Sequence, residues 1–301
     1  MRLATVRIGG REEAAVVTAG GLVTVRLLNE AAGTGWSRDV QGLLERGELE
    51  VLDGWLAGEG KSELARLEAQ AIPSVRALYA PLYRRPRKIW GIGANYRAKA
   101  EDMNVVPPDA EPICFLKPDT SLIGPGDAIE LPPEEGRFTA EAELGIVIGR
   151  TCKYVSEAEA PGVIAGFAAT LDMTAQHIHA RNPRFLGRSK SFDTFFSFGP
   201  ELITPGEIED LGSLRVETVL NGRITHSASV ADMIYSPWFI VSYFSRMMTL
   251  LPGDVIMTGT PGSTDIREGD AAECRIGGFA PLVNPVRPEA ARPSVSGAIN
   301  D

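Results

Sequence analysis

The chain has 301 residues, 44% hydrophobic and 23% charged, and its 30 basic and 39 acidic side chains give a formal charge of −9. That composition belongs to a globular protein and excludes a coiled coil or a disordered chain, while the acidic balance argues against nucleic acid or an anionic membrane surface as partner. Three cysteines without CxxC spacing (Cys114, Cys152 and Cys274) exclude a disulfide scaffold and a thiolate zinc site, and they predict a reducing, cytoplasmic setting.

In chain order, Met1–Gly10 alternates polar and apolar residues and lacks the apolar run of a signal peptide. From Ala4 to Leu28 the pattern predicts short strands turning at Gly9-Gly10 and Gly20-Gly21. Helices follow over Asp39–Leu49 and Lys61–Ala71, the second capped by Ser62. Ala80–Gly91, with Pro81, Pro86, Arg84, Arg85, Arg87 and Lys88, reads as a stiff, solvated connector. It predicts a boundary near Arg85, separating a small N-terminal α+β domain (1–85) from a main domain (86–287). The residues from 288 to 301 are rich in Pro, Ala, Ser and Gly and are expected to be a disordered tail.

The main domain reads as strands and turns. Gly-Asp pairs at Gly126, Gly253 and Gly269 each feed an extended run, and Asn221-Gly222 is a strong hairpin signal. Leu144–Gly149 and Val163–Asp172 read as buried strands. One helix stands out, capped by Ser236, opened by Pro237 and running to about Leu250. The apolar stretch Pro237–Leu251 carries Arg246 and is too short to span a bilayer. The fold class is therefore α+β and β-dominated. Gly91–Tyr96 lacks the third glycine of a dinucleotide fingerprint, and Gly187–Ser191 lacks the second glycine of a nucleophile elbow.

The chemistry concentrates in carboxylates. Glu141 and Glu143 are two apart at the start of an apolar strand, so both project from one face. Asp172 ends the next long apolar strand, and if the two strands are neighbours three carboxylates converge. Oxygen ligands of that kind select a hard divalent cation, Mg²⁺ first, with Mn²⁺ or Ca²⁺ as substitutes. The alternative is a solvated strand end. His177 and His179 form an H-x-H pair, but His226 is the one other histidine, so a three-histidine zinc site would need all of them. Around them Arg181, Arg184, Arg188 and Lys190 make a basic run, either a solvated loop or a positive pocket for an anionic substrate.

From about Ile89 to Val286 the sequence resembles the fumarylacetoacetate hydrolase family. The resemblance runs through GIGANYRAKAEDM, FLKPDTSLIGPGDAIELP, EAELGIVIGR, GFAATLDMTAQHIHAR, SKSFDTFFSFGPELIT, MTGTPGS and the closing GDAAECRIGG. It implies a mixed β-sandwich or roll, a small variable N-terminal domain and a homodimer. It also implies Mg²⁺ or Mn²⁺ on Glu141, Glu143 and Asp172, Lys190 beside the metal and substrate oxygens, and Thr260 lining the substrate pocket. His179 stands where relatives carry a glutamine that reaches substrate, and Arg97 and Arg181 are expected to bind its anionic groups. The implied substrates are small 2-oxo or dicarbonyl acids. One expected reaction is C–C hydrolysis of a 2,4-dioxo acid through a metal-chelated enolate. The alternative is enol–keto isomerisation or decarboxylation on the same site.

One departure bears on the reaction. Many members carry a histidine and a glutamate as a water-activating dyad, where this chain has Lys99 and Asp102, with Glu101 adjacent. An unperturbed lysine, with a pKa of ~10.4, is neutral in only about one molecule in ~2500 at pH 7, so using it as a base costs roughly 4–5 kcal/mol. A lysine in that place is better suited to giving a proton to an enolate carbon or to gripping a carboxylate.

Overall fold

The structure, a computed structural model, describes residues 1–97, 99, 111–133 and 135–289. The chain opens with β1 (Arg2–Ile8), β2 (Arg11–Thr18) and β3 (Gly21–Thr24), an antiparallel meander turned where expected. Gly9 and Gly10, with φ of +55° and +77°, take the first turn without a Cβ penalty. An extended run was expected to reach Leu28, but Thr24 caps a helix by accepting the Leu27 N–H at 3.4 Å. Helix α1 (Val25–Ala32) then buries Val25 and Leu28, spaced three apart.

Asp39 caps α2 (Val40–Glu45) through the Gly42 N–H at 2.7 Å. The single helix expected to Leu49 breaks at Gly47 (φ +67°), and a separate helix, α3 (Glu48–Ala57), follows it. The sequence reading missed α3, although its buried Leu49, Leu52 and Leu56 recur at helical spacing. In α4 (Gly60–Leu67) Ser62 lies inside the helix, so the cap assigned to it is not formed.

The expected solvated connector is half right. Arg84, Arg85 and Arg87 are exposed, but Ala80–Tyr83 is buried. Tyr83 donates its hydroxyl proton to the Gly253 carbonyl at 3.0 Å and meets Phe198 edge-on at 5.1 Å. Composition registered the charges and prolines and overlooked the apolar anchors interleaved with them.

Two sheets organise the rest. The strands are β4 (Ile89–Gly93), β5 (Ile113–Lys117), β6 (Leu122–Ile123), β7 (Ile129–Leu131), β8 (Phe138–Ile148), β9 (Ile164–Ala175), β10 (Phe196–Phe198), β11 (Glu201–Ile203), β12 (Arg215–Leu220), β13 (Arg223–Ser229), β14 (Val255–Met257), β15 (Thr264–Ile266), β16 (Ala271–Ile276) and β17 (Leu282–Pro288). The larger sheet runs β3-β2-β1-β11-β9-β8-β14-β4-β5, with β6, β10 and β15 attached beside it, and the smaller runs β13-β12-β16-β17-β7. β1 pairs with β11, so the N-terminal meander extends the larger sheet. The Asn221-Gly222 turn joins β12 to β13 with both residues at positive φ, as the hairpin signal predicts. β17 reaches Pro288, and the remaining tail from 290 lies outside the described residues.

β8 and β9 form the spine, both buried along their whole length. Ala140, Ala142, Leu144 and Ile146 of β8 pack with Leu171 and Met173 of β9 into the core shared with the smaller sheet. Val147 and Ala168 turn the other way and pack with the N-terminal helices. That second face also carries the polar residues of β8. The short helices α5 (Gln176–Arg181) and α6 (Leu186–Lys190) follow β9. The main helix α7 (Pro237–Met247) is capped by Ser236, which accepts the Phe239 N–H at 3.1 Å. Among the described residues no helix is long and apolar enough to cross a membrane.

Candidate metal centre and active site

Antiparallel pairing sets Glu141 opposite Asp172 and Glu143 opposite Thr170. Register partners share a face, and so do residues two apart, so Glu141, Glu143 and Asp172 all point to one side of the β8–β9 pair. Their ligand oxygens lie within 4.8 Å of one another and all three residues are buried. Both strands extend past these residues, to Phe138 and to Ala175, so the carboxylates sit within the strands and not at their ends.

Buried like charges need compensation, and lysines supply it. Lys190, at the end of α6, sits 2.9 Å from Glu141 Oε2, bonds Asp172 Oδ2 directly, and lies 4.6 Å over the Phe115 ring. Lys117, at the end of β5, donates to the carbonyls of Met173 (3.1 Å), Lys190 (2.6 Å) and Phe195 (2.8 Å). It also pairs with Asp172 Oδ1 at 2.7 Å. Lys99 Nζ bonds Ser263 Oγ and stands 3.7 Å from Glu141 Oε1, the oxygen that accepts the Ser263 hydroxyl proton.

These contacts polarise the site. Burial pushes the Glu141 carboxyl up, but Lys190, Lys99 and the Ser263 hydrogen bond outweigh it and hold the group at about 2. Glu143 lacks a lysine at contact distance among the described residues. Burial, then the Asp172 and Glu141 carboxylates, push it well above the usual carboxylate range, opposed by Lys190 and by the Gly259 N–H at 2.6 Å. Burial drives the Lys117 ammonium down to about 8 against the pull of Asp172. For Lys190 burial lowers the pKa, but Asp172 and Glu141 overcome it and raise the group above its ordinary value. Three buried carboxylate oxygens on one rigid strand pair, one of them resisting ionisation, fit a hard divalent cation as their missing partner.

The cleft above this cluster is lined by Glu141, Glu143, Lys99, His179, Lys190 and Thr260, together with Phe115, Gln176 and apolar residues. The structure thus brings most of the site residues expected from sequence into one pocket. Arg97 and Arg181 are exposed and outside its lining, and Asp102 and Glu101 lie outside the described residues. The histidines separate: His177 Nδ1 lies 3.3 Å from the Arg137 carbonyl, His226 Nε2 lies 3.0 Å from the Ser263 carbonyl, and His179 faces the pocket.

Sequence reasoning missed Lys117, Ser263, Gly259 and Asn95. A lone lysine closing the apolar run Ile113–Lys117 was a legible signal, because buried lysines occur almost only when paired. Asn95 is fully buried. Its amide donates to the carbonyls of Tyr235 (3.0 Å) and Thr258 (2.7 Å), and its side-chain oxygen accepts the Tyr235 N–H at 2.8 Å. This clamp fixes the chain leaving β4 to the loop after β14. Gly259 is required in that loop: its φ is +97°, and a Cβ there would lie 2.6 Å from Asn95 Cβ.

The family model described as "Fumarylacetoacetate (FAA) hydrolase C-terminal" matches residues 88–287. A curated relative, the mitochondrial oxaloacetate tautomerase Fahd2a of Rattus norvegicus, is 32% identical over 241 residues, which are 76% of this chain and 77% of the relative. Among solved structures, maleylpyruvate hydrolase from Sphingobium sp. SYK-6, in complex with manganese(II) and pyruvate, is similar with a TM-score of 0.76. It is 27% identical, covering 96% of this chain and 99% of that one. The 5-carboxymethyl-2-hydroxymuconate delta-isomerase of Mycobacterium smegmatis is similar with a TM-score of 0.72 and 27% identity, covering 97% of this chain and all (100%) of that one.

Proposed function

The chain belongs to the fumarylacetoacetate hydrolase family, and we propose that within it this protein is a divalent-metal-dependent tautomerase or isomerase of small 2-oxo acids. The observation that carries the reading is Lys99, standing in the pocket at 3.7 Å from Glu141, at the sequence position where the family resemblance implies a water-activating histidine. Glu141, Glu143 and Asp172 would hold Mg²⁺ or Mn²⁺. A divalent cation there would supply a Lewis acid for the substrate's 2-oxo and carboxylate oxygens.

The charges support such a substrate. With a cation bound, Glu143 would ionise as well, and the carboxylates of Glu141, Glu143 and Asp172 would then balance the ammonium groups of Lys99, Lys117 and Lys190. The two positive charges of a bound cation would then remain for a dianion, which is what the enolate of a 2-oxo monocarboxylic acid and the enol form of oxaloacetate both are. Lys190, held at the carboxylate cluster, is placed to stabilise negative charge on the enolate oxygen. Lys99 gives a proton to the enolate carbon and regains one from solvent, while the proton of the enol oxygen leaves to solvent. The sum is enol to keto with no net change of atoms or electrons. Run backwards, the same groups remove the carbon proton.

A second reading, C–C hydrolysis of a 2,4-dioxo acid, is favoured by His179. Burial, then the nearby Lys190, lower its pKa, so a neutral imidazole faces the pocket and offers a base for water. The maleylpyruvate hydrolase likeness adds weight to it. The proposal includes a homodimer in a cytoplasmic setting; the three free cysteines support a reducing compartment.

The test is ketonisation of enol-oxaloacetate followed by ultraviolet absorbance, with and without Mg²⁺ or Mn²⁺, beside product analysis on acylpyruvates. Metal-dependent loss of the enol band without C–C cleavage supports the first reading. Cleavage products support the second. Full metal-stimulated turnover by a Glu143→Ala variant would overturn both.

A further inference from the structure

We propose that Ser263 is a positioning residue: it seats the Lys99 ammonium beside Glu141 and so sets where the proton donor stands over the substrate. The inference rests on Lys99 acting in the pocket as argued above, and it goes beyond that reading by naming the group that places the lysine. A lysine side chain has four rotatable bonds, and without a fixed partner it would spread over many positions, each at a different distance from the reacting carbon.

Ser263 is built to be that partner because its own position is fixed from several sides. His226 bonds its carbonyl at 3.0 Å. The preceding residue is held too: Thr218 Oγ1 and Thr260 Oγ1 both donate to the Gly262 carbonyl, at 3.3 and 3.0 Å, and Thr260 Oγ1 accepts the Gly262 N–H at 3.2 Å. No side chain fits at Gly262, where a Cβ would lie 2.2 Å from the His226 ring. The backbone bearing Ser263 is thereby packed against β12 and β13.

The hydroxyl then works in one direction. Its single proton goes to Glu141 Oε1, which leaves its lone pairs to accept from Lys99 Nζ. Glu141 divides its two oxygens between two lysines, with Oε2 taken by Lys190 at 2.9 Å and Oε1 reaching Lys99 through Ser263. One carboxylate thus links the cation placed for the enolate oxygen to the cation placed for the enolate carbon. Ser263 is the adjustable part of that link, since it alone touches Lys99 at hydrogen-bond distance among the described residues.

The experiment compares Ser263→Ala, Ser263→Thr, Lys99→Met and the double variant Ser263→Ala/Lys99→Met in the full-length, Mn²⁺-loaded protein. Ser263→Ala is expected to lower kcat for enol-oxaloacetate about tenfold, with KM and the calorimetric Mn²⁺ affinity changed less than about twofold. Ser263→Thr, which keeps the hydroxyl, should recover to within about threefold of the parent, and Ser263→Ala should add less than about twofold once Lys99 is Met. Additive losses, failure of threonine to rescue, or a loss traced to weaker Mn²⁺ binding would overturn the proposal. If the parent protein does not tautomerise oxaloacetate, the reaction reading fails, and pyruvate affinity of the Mn²⁺-loaded proteins then decides about Ser263. Non-additive affinity losses of Ser263→Ala and Lys99→Met uphold the positioning role, and additive ones reject it.

Discussion

Glu141 and Asp172 face each other as register partners across the β8–β9 pair, and a single ammonium, that of Lys190, contacts both carboxylates. The relationship joins two strands of one sheet to a short helix that follows them, and it places the charges of the pocket before any ligand arrives.

Metal binding is the first. Because Glu143 has no lysine at contact distance among the described residues, it depends on the cation most. Glu143→Gln should fold like the parent and lose Mn²⁺ affinity by about 10–100-fold or more in calorimetry. In the parent, Mn²⁺ at about 100 times its Kd should add about 2.7 kcal/mol of stability, a gain abolished by EDTA and by the substitution. An unchanged melting temperature with saturating Mn²⁺ would remove the metal from the account.

Lys117 is the second. Replacing it with Met leaves Asp172 Oδ1 without its partner and removes one donor from each of three carbonyls. The expected loss is about 3–5 kcal/mol in urea unfolding of the metal-free protein. Adding Asp172→Asn should return part of that loss, since the uncompensated charge is gone. A double variant less stable than Lys117→Met alone would contradict the charge argument.

Gly259 is the third. Alanine there must adopt φ +97° and displace Asn95, while its N–H serves Glu143 Oε2 at 2.6 Å. Gly259→Ala should cost about 1–3 kcal/mol of stability and weaken Mn²⁺ binding as well. Stability lost with Mn²⁺ affinity intact would show that the loop does not carry the carboxylate.

Lys99 is the fourth. Lys99→Met should lower tautomerisation by about 10²–10⁴-fold, the usual range for a positioned proton donor, with Mn²⁺ affinity retained. Lys99→His should raise hydrolysis of acylpyruvates if this residue occupies the water-activating place. No gain in cleavage products would move the base elsewhere, with His179 next to be replaced.

What could be read from the sequence was local. Gly-Asp and Asn-Gly turns, the Ser236–Pro237 helix start and the same-face spacing of Glu141 and Glu143 all depend on neighbouring residues, and the structure has them as expected. Asp172 was legible as the end of a buried apolar run, and the family resemblance added roles for Lys190 and Thr260; all three meet at the pocket or its carboxylates. Local reading failed at Ala80–Tyr83, where distant contacts with Phe198 and Gly253 bury the segment, and at Val25–Leu28, where a local signal, the Thr24 cap, was overlooked and the chain turns from strand to helix. Only the fold could decide that Glu141 and Asp172 share a register, that Lys117 crosses from β5 to reach Asp172, and that Ser263 stands between Lys99 and Glu141. Strand pairing and ammonium reach are set by packing between segments far apart in the chain, and no window of sequence contains both partners.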